Sequence, residues 1–130
     1  MNTRITMTSS AIFLAITGIF LSFLPDEIGE YLSIESNIVT HLVLKMLSAL
    51  YLGFAILNWI AKGTLIGGIY NRPIAMGNLM HFVVGAIAMA KTVSNIEKHS
   101  EIFLFLTVVY VVFTILFFIV FKNNPIKLKK

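Results

Sequence analysis

With 130 residues, 58% hydrophobic and only 12% charged, the chain has too little polar surface to wrap a water-facing core, because soluble domains carry about a quarter charged residues. Its net charge of +4 comes from basic residues scattered at the edges of apolar runs, which excludes a soluble basic face and with it a nucleic-acid partner. The absence of cysteine excludes disulfides, thiol redox chemistry and iron–sulfur ligation.

The first apolar run imitates a signal peptide, with Arg4 followed by Ala11 to Leu24. It ends in Phe23-Leu24-Pro25-Asp26-Glu27, with proline and acids where a cleavage site needs small residues. We therefore read a retained first span over 5–24, stopped by Pro25, whose nitrogen cannot donate to a helix ladder. In the gap that follows, Ile28, Tyr31 and Leu32 fall at helical spacing among acids, which predicts a short helix lying in an interface. The second span is predicted over 38–60, the third over 74–93 and the fourth over 102–121. Pro73 suits the first turn of the third span, with Asn71 or Arg72 near its cap. Gly63, Gly67 and Gly68 supply turn chemistry in the middle gap. A bilayer core about 30 Å thick needs ~20 apolar residues per helix, so four spans use roughly 80 residues and leave no room for a soluble domain. The predicted architecture is all-α: one transmembrane domain over 1–130, a four-helix bundle with a short interfacial helix after the first span.

Charge sets the direction. All six carboxylates lie in the first and third gaps: Asp26, Glu27, Glu30 and Glu35, then Glu97 and Glu101. Arg4, Lys62, Arg72, Lys122, Lys127, Lys129 and Lys130 lie at the start, in the middle gap and at the tail. Lys98, and Lys91 near the end of the third span, are the basic residues of the opposite side. Lysine and arginine in short loops stay inside, so both termini are expected in the cytoplasm. An anionic inner leaflet accounts for the basic tail. Trp59 and Tyr70 suit an interfacial aromatic belt.

Lipid tails are as apolar as leucine, so small residues must let such helices approach. Ala15 and Gly18 in the first span, Ala49 and Gly53 in the second, and Gly77 and Gly85 in the third are the expected packing positions, within the chain or at a homo-oligomer seam. Thr107, Tyr110 and Thr114 mark one face of the fourth.

Polar groups inside a membrane are costly and mark either function or a satisfied contact. On the outer side, His41 and Lys45 share a face of the second span. The lysine stem can carry its ammonium back to the headgroups, or the pair can form an anion site or pair with Glu30, Glu35 or Glu97. On the inner side, Asn58, Asn78 and His81 are placed to hydrogen-bond between neighbouring spans. Alternatively, with Arg72, they line a cytoplasm-facing polar pocket in which His81 exchanges a proton. His41 and His81 differ in depth by on the order of 15 Å, so a shared haem or metal ion is not expected. The sequence contains no nucleophile elbow, phosphate loop, Walker motif or HExxH. No apolar interior carries a carboxylate, which disfavours a proton-coupled pump.

The Phe23-Leu24-Pro25 end of the first span, Ala49-Leu50-Tyr51-Leu52-Gly53 in the second, and the size and four spans together resemble the small four-helix bacterial membrane proteins that include the DoxX-like families. The segment from Asn71 to Phe82 has the look of a family signature. The resemblance implies a multi-pass protein of the bacterial cytoplasmic membrane. Some members of that group are accessory subunits of membrane oxidoreductases, and the resemblance carries over no catalytic residues. The expected role is a non-catalytic accessory or interaction subunit without cofactor, partnered by the bilayer and by a larger complex or copies of itself. The alternatives are a small oligomeric transporter or channel, and a subunit of a membrane oxidoreductase.

Overall fold

A computed structural model describes residues 2–35, 37–96 and 98–123. The predicted Glu97 contact and the basic tail residues Lys127, Lys129 and Lys130 lie outside them. The elements in chain order are α1 (Thr3–Phe23), α2 (Pro25–Tyr31), α3 (Ile38–Ala61), α4 (Arg72–Thr92), a 3-10 turn (Val93–Asn95) and α5 (Ser100–Lys122). Among the described residues there is no strand; Gly67 and Tyr70 form one isolated bridge. Four helices are long and apolar enough to cross a membrane: α1, α3, α4 with its 3-10 extension, and α5. The predicted spans match these four helices closely, because a run of about 20 apolar residues has few other ways to satisfy its backbone.

The breaks follow from local chemistry. Leu24 leaves helical geometry at φ −124° and ψ 44°, and Pro25 opens α2, where its missing N–H costs nothing. Asn37 caps α3 by accepting the Thr40 N–H at 2.9 Å. Asn71 precedes α4 in the left-handed region at φ 45°, and its side chain turns back to donate to the Leu65 carbonyl at 2.8 Å. Gly67, at φ +127°, sits where any Cβ would collide with the Val120 and Asn123 carbonyls. The Gly68 N–H then donates to the Phe121 carbonyl at 3.2 Å, satisfying one of the last acceptors of α5.

The chain divides into two compact units, Met7–Lys62 and the chain from Gly63 onward with the residues before Met7. In the first unit, α1 and α3 run antiparallel and are joined at two levels. Ser48 Oγ donates to the Gly18 carbonyl at 2.8 Å, and Asn58 Nδ2 donates to Ser10 Oγ at 3.0 Å. At 1.5 Å per residue these levels are about 15 Å apart on α3 and about 12 Å apart on α1, a consistent register. A Cβ built on Gly18 would lie 2.8 Å from Leu52 Cγ and 3.2 Å from the Leu52 nitrogen, so only glycine allows this approach.

The second unit is a hairpin of α4 and α5. Phe82, fully buried, stacks on Phe113 and Phe117 with centroids 4.8 and 5.6 Å apart and meets Tyr110 edge-on at 5.2 Å. Ala75, Asn78, Phe82 and Ala86 form the buried face of α4. Thr107, Tyr110, Phe113, Phe117 and Val120 form that of α5.

The outer surface is unlike that of a soluble fold. Buried positions include Thr6, Ser10, Ser48, Asn58, Asn78 and Thr107, whereas Ile38, Ile60, Ile69, Phe23 and Phe105 are among the large apolar side chains left outside. Such an outer surface is suited to hydrocarbon and unsuited to water.

Candidate functional site

On the predicted outer side, α2 brings an acid to α3 that the sequence reading did not pair with it. His41 Nε2 lies 2.8 Å from Asp26 Oδ1. Asp26 stands in the first turn of α2, and the contact ties the short helix to the start of α3. Lys45, one turn further along α3, is exposed, and neither Glu30 nor Glu35 forms an ion pair with it. The spacing of His41 and Lys45 was legible in the sequence. The choice of Asp26 depends on the turn at Leu24, which swings α2 beside α3.

The four inner-side residues fall in different units. Asn58, fully buried on α3, donates to Ser10 Oγ, and Ser10 Oγ in turn donates to the Met7 carbonyl at 3.0 Å. Asn78, fully buried on α4, donates back to the Ile74 carbonyl of its own helix at 3.0 Å. His81 Nε2 lies 3.3 Å from the Tyr110 hydroxyl of α5. Arg72 lies with its guanidinium 5.0 Å from the Phe121 ring, over a shallow hollow of about 290 Å³ formed with Pro73 and Met76. Asn58, Asn78 and His81 thus each have a partner inside their own unit. Ser10 was missed in the sequence because it stands among Thr6, Thr8 and Ser9, and spacing alone does not single out one hydroxyl of that stretch.

The buried hydroxyls follow the same rule. Thr107 Oγ1 donates to the Phe103 carbonyl, and Ser48 Oγ reaches across to Gly18. Among the described residues, no buried side-chain nitrogen or oxygen lacks a hydrogen-bond partner. No three histidine, aspartate or glutamate side chains among them come together in a way that could hold a metal ion.

The small residues separate into two groups. Gly18 meets Leu52, and Gly85 meets the ring of Tyr110 so closely that a Cβ there would overlap it. Ala15 is half-buried beside a groove between α1 and α3, and Gly77 is half-buried on α4. Ala49 and Gly53 do not pack within the chain, one of the two placements expected for them, and face outward on α3: both are exposed, and a Cβ on Gly53 would have nothing within 4 Å. The reason is the Ser48 bond to Gly18, which turns the Ser48–Leu52–Ala55 side of α3 toward α1 and the neighbouring small residues away from it.

The groove between α1 and α3 has a volume of about 330 Å³ and is lined by Ala11, Ile12 and Ala15 of α1 and by Leu52, Ala55, Ile56 and Trp59 of α3. At its Trp59 end, the Lys62 ammonium sits 2.8 Å from the centre of the indole ring. No protein-family model, curated protein or solved structure matches the chain.

Proposed function

We propose that this chain is an integral membrane protein that crosses the bacterial cytoplasmic membrane four times with both termini in the cytoplasm, and that it acts as a non-catalytic accessory or interaction subunit. The observation that carries this reading is the apolar exterior of its long helices. Large aliphatic and aromatic residues line the outside of every long helix, while the buried polar groups are engaged in hydrogen bonds. In hydrocarbon an unsatisfied polar group costs several kcal/mol, on the order of the whole stability of a small domain, so this arrangement suits lipid as the solvent.

The accessory role is supported by what the polar residues do. Asn58 and Ser48 tie α1 to α3, and His81 meets Tyr110 between α4 and α5. Each of these contacts fixes a helix pair. The broad apolar exterior, including the open Ala49–Gly53 face, leaves surface on which another membrane helix can pack. The resemblance of the span layout to DoxX-like proteins is in keeping with such a role.

Two experiments test the reading. The protein is expected to stay with membranes through alkaline extraction. A reporter fused after Lys130 should read as cytoplasmic, and one placed in the Glu97–Glu101 turn as external. A soluble protein, or an external tail, overturns the assignment. Purification in a mild detergent is then expected to retain one larger membrane partner at fixed stoichiometry. Solute flux through vesicles containing the chain alone would overturn the accessory role.

A further inference from the structure

The groove between α1 and α3 has a shape and a charge that the packing of the helices does not use. Its floor is Ala11 and Ala55, which are 2% and 4% exposed. Its walls are the branched side chains of Ile12 and Ile56, which are 49% and 61% exposed, so it opens outward along its length. The two inter-helix bonds explain why it exists. They hold α1 and α3 at the levels of Gly18 and Ser10, and between those levels Ala11 and Ala15 of α1 face Leu52 and Ala55 of α3, where the alanines are too small to fill the gap. On α3 the lining runs from Leu52 to Trp59, about 10 Å at 1.5 Å per residue. It begins near the middle of the helix and ends at its C-terminal, predicted cytoplasmic end. Half of a bilayer core is about 15 Å thick, so the groove spans most of one leaflet and does not continue into the other.

The mouth carries the second observation. A lysine at a helix end ordinarily extends its ammonium into water. Lys62 instead lies back over the Trp59 ring, directly at the end of the groove. This places a cation over an indole at one end of the apolar groove, on the predicted cytoplasmic side.

We infer that the α1–α3 groove is a binding site for an anionic glycerophospholipid of the inner leaflet, with one acyl chain along Ala11, Ala15, Leu52 and Ala55 and the phosphate on Lys62. A partner helix would fill the slot but would gain nothing from a lysine folded over its end. An anionic lipid uses both features. The inference rests on the membrane reading above.

Trp59 is the chain's single tryptophan, so its fluorescence reports the site directly. The full chain is reconstituted into phosphatidylcholine vesicles that contain, at equal mole fraction, either brominated phosphatidylglycerol or brominated phosphatidylcholine, with bromine on the acyl chain near the headgroup. Phosphatidylglycerol is expected to associate at Trp59 about two- to fivefold more strongly, the effect of one lysine near a membrane surface. Lys62→Gln should bring the ratio of the two lipids close to one. Ala15→Phe, which fills the slot, should lower quenching by both lipids. Because Lys62 lies at a helix end, its substitution tests the site even if Ala15→Phe fails to fold.

Equal quenching by the two lipids in the unaltered protein overturns the site and leaves the membrane assignment standing. So does a preference that survives Lys62→Gln, which would come from the charge of the whole chain. Absence of quenching by either lipid in protein that floats with the vesicles overturns it as well, and shows a second copy or another helix covering Trp59. Protein that does not float with the vesicles overturns the membrane reading itself.

Discussion

The two helix pairs of this protein solve one physical problem with different materials. On the proposed membrane reading, two long apolar helices must in each case prefer each other to lipid, and apolar surface area gives no preference. The α1–α3 pair uses a glycine at Gly18 for close backbone approach and two hydrogen bonds, Ser48 to Gly18 and Asn58 to Ser10. The α4–α5 pair uses an aromatic column, Phe82 with Tyr110, Phe113 and Phe117, and a glycine at Gly85 that seats the Tyr110 ring. The first pair is held at points and leaves a groove between them. The second is filled around Phe82, where stacked rings occupy the space that alanines leave open in the first, and its hollow lies at the Arg72–Phe121 end.

That difference can be broken from either side. The largest effect is expected from Phe82→Ala, which removes the ring that touches four others, His81, Tyr110, Phe113 and Phe117, and leaves a cavity. We expect a loss of about 3 kcal/mol in the stability of the α4–α5 hairpin, measured by unfolding in mixed micelles. The Trp59 signal should report later unfolding of α1–α3 if the two units are independent. Gly18→Leu comes next. Its side chain must displace Leu52, so about 1–3 kcal/mol should be lost from the α1–α3 pair, with the Trp59 spectrum as the readout. Asn58→Leu keeps volume and removes the donor to Ser10, and it should cost about 0.6–1.7 kcal/mol, the range for hydrogen bonds between membrane helices. The smallest effect belongs to Tyr110→Phe. It keeps the ring in the column and removes only the hydroxyl facing His81, so about 0.6 kcal/mol or less is expected. If Tyr110→Phe proved as costly as Phe82→Ala, the α4–α5 pair would rest on a polar contact after all, and the contrast would be lost.

How legible the site was in the sequence depended on the reach of each signal. Gly18 and Gly85 could be identified as close-approach positions because spacings of three and four residues place small residues on one helix face. Ala49 and Gly53 have spacing of the same kind, yet they face outward. Spacing within one helix says which residues share a face and nothing about which face is covered. Asn58 and His81 were recognisable as polar groups needing partners, since a buried amide or imidazole left unpaired is costly. Their observed partners Ser10 and Tyr110 come from other helices, and the partner follows from the register between helices. The same holds for His41 and Asp26, where a turn at Leu24 decides which carboxylate arrives.

The sequence by itself determined four apolar helices of membrane-spanning length, their breaks at Pro25 and Pro73, and the sign of charge at each end. These properties are local: apolar run length, proline geometry and capping act within a few residues along the chain. The tertiary structure decided which face of α3 meets α1, that Ser10 and Tyr110 answer Asn58 and His81, and that a slot ending at Lys62 stays open. These depend on how two helix surfaces fit in register, a property that no single segment carries.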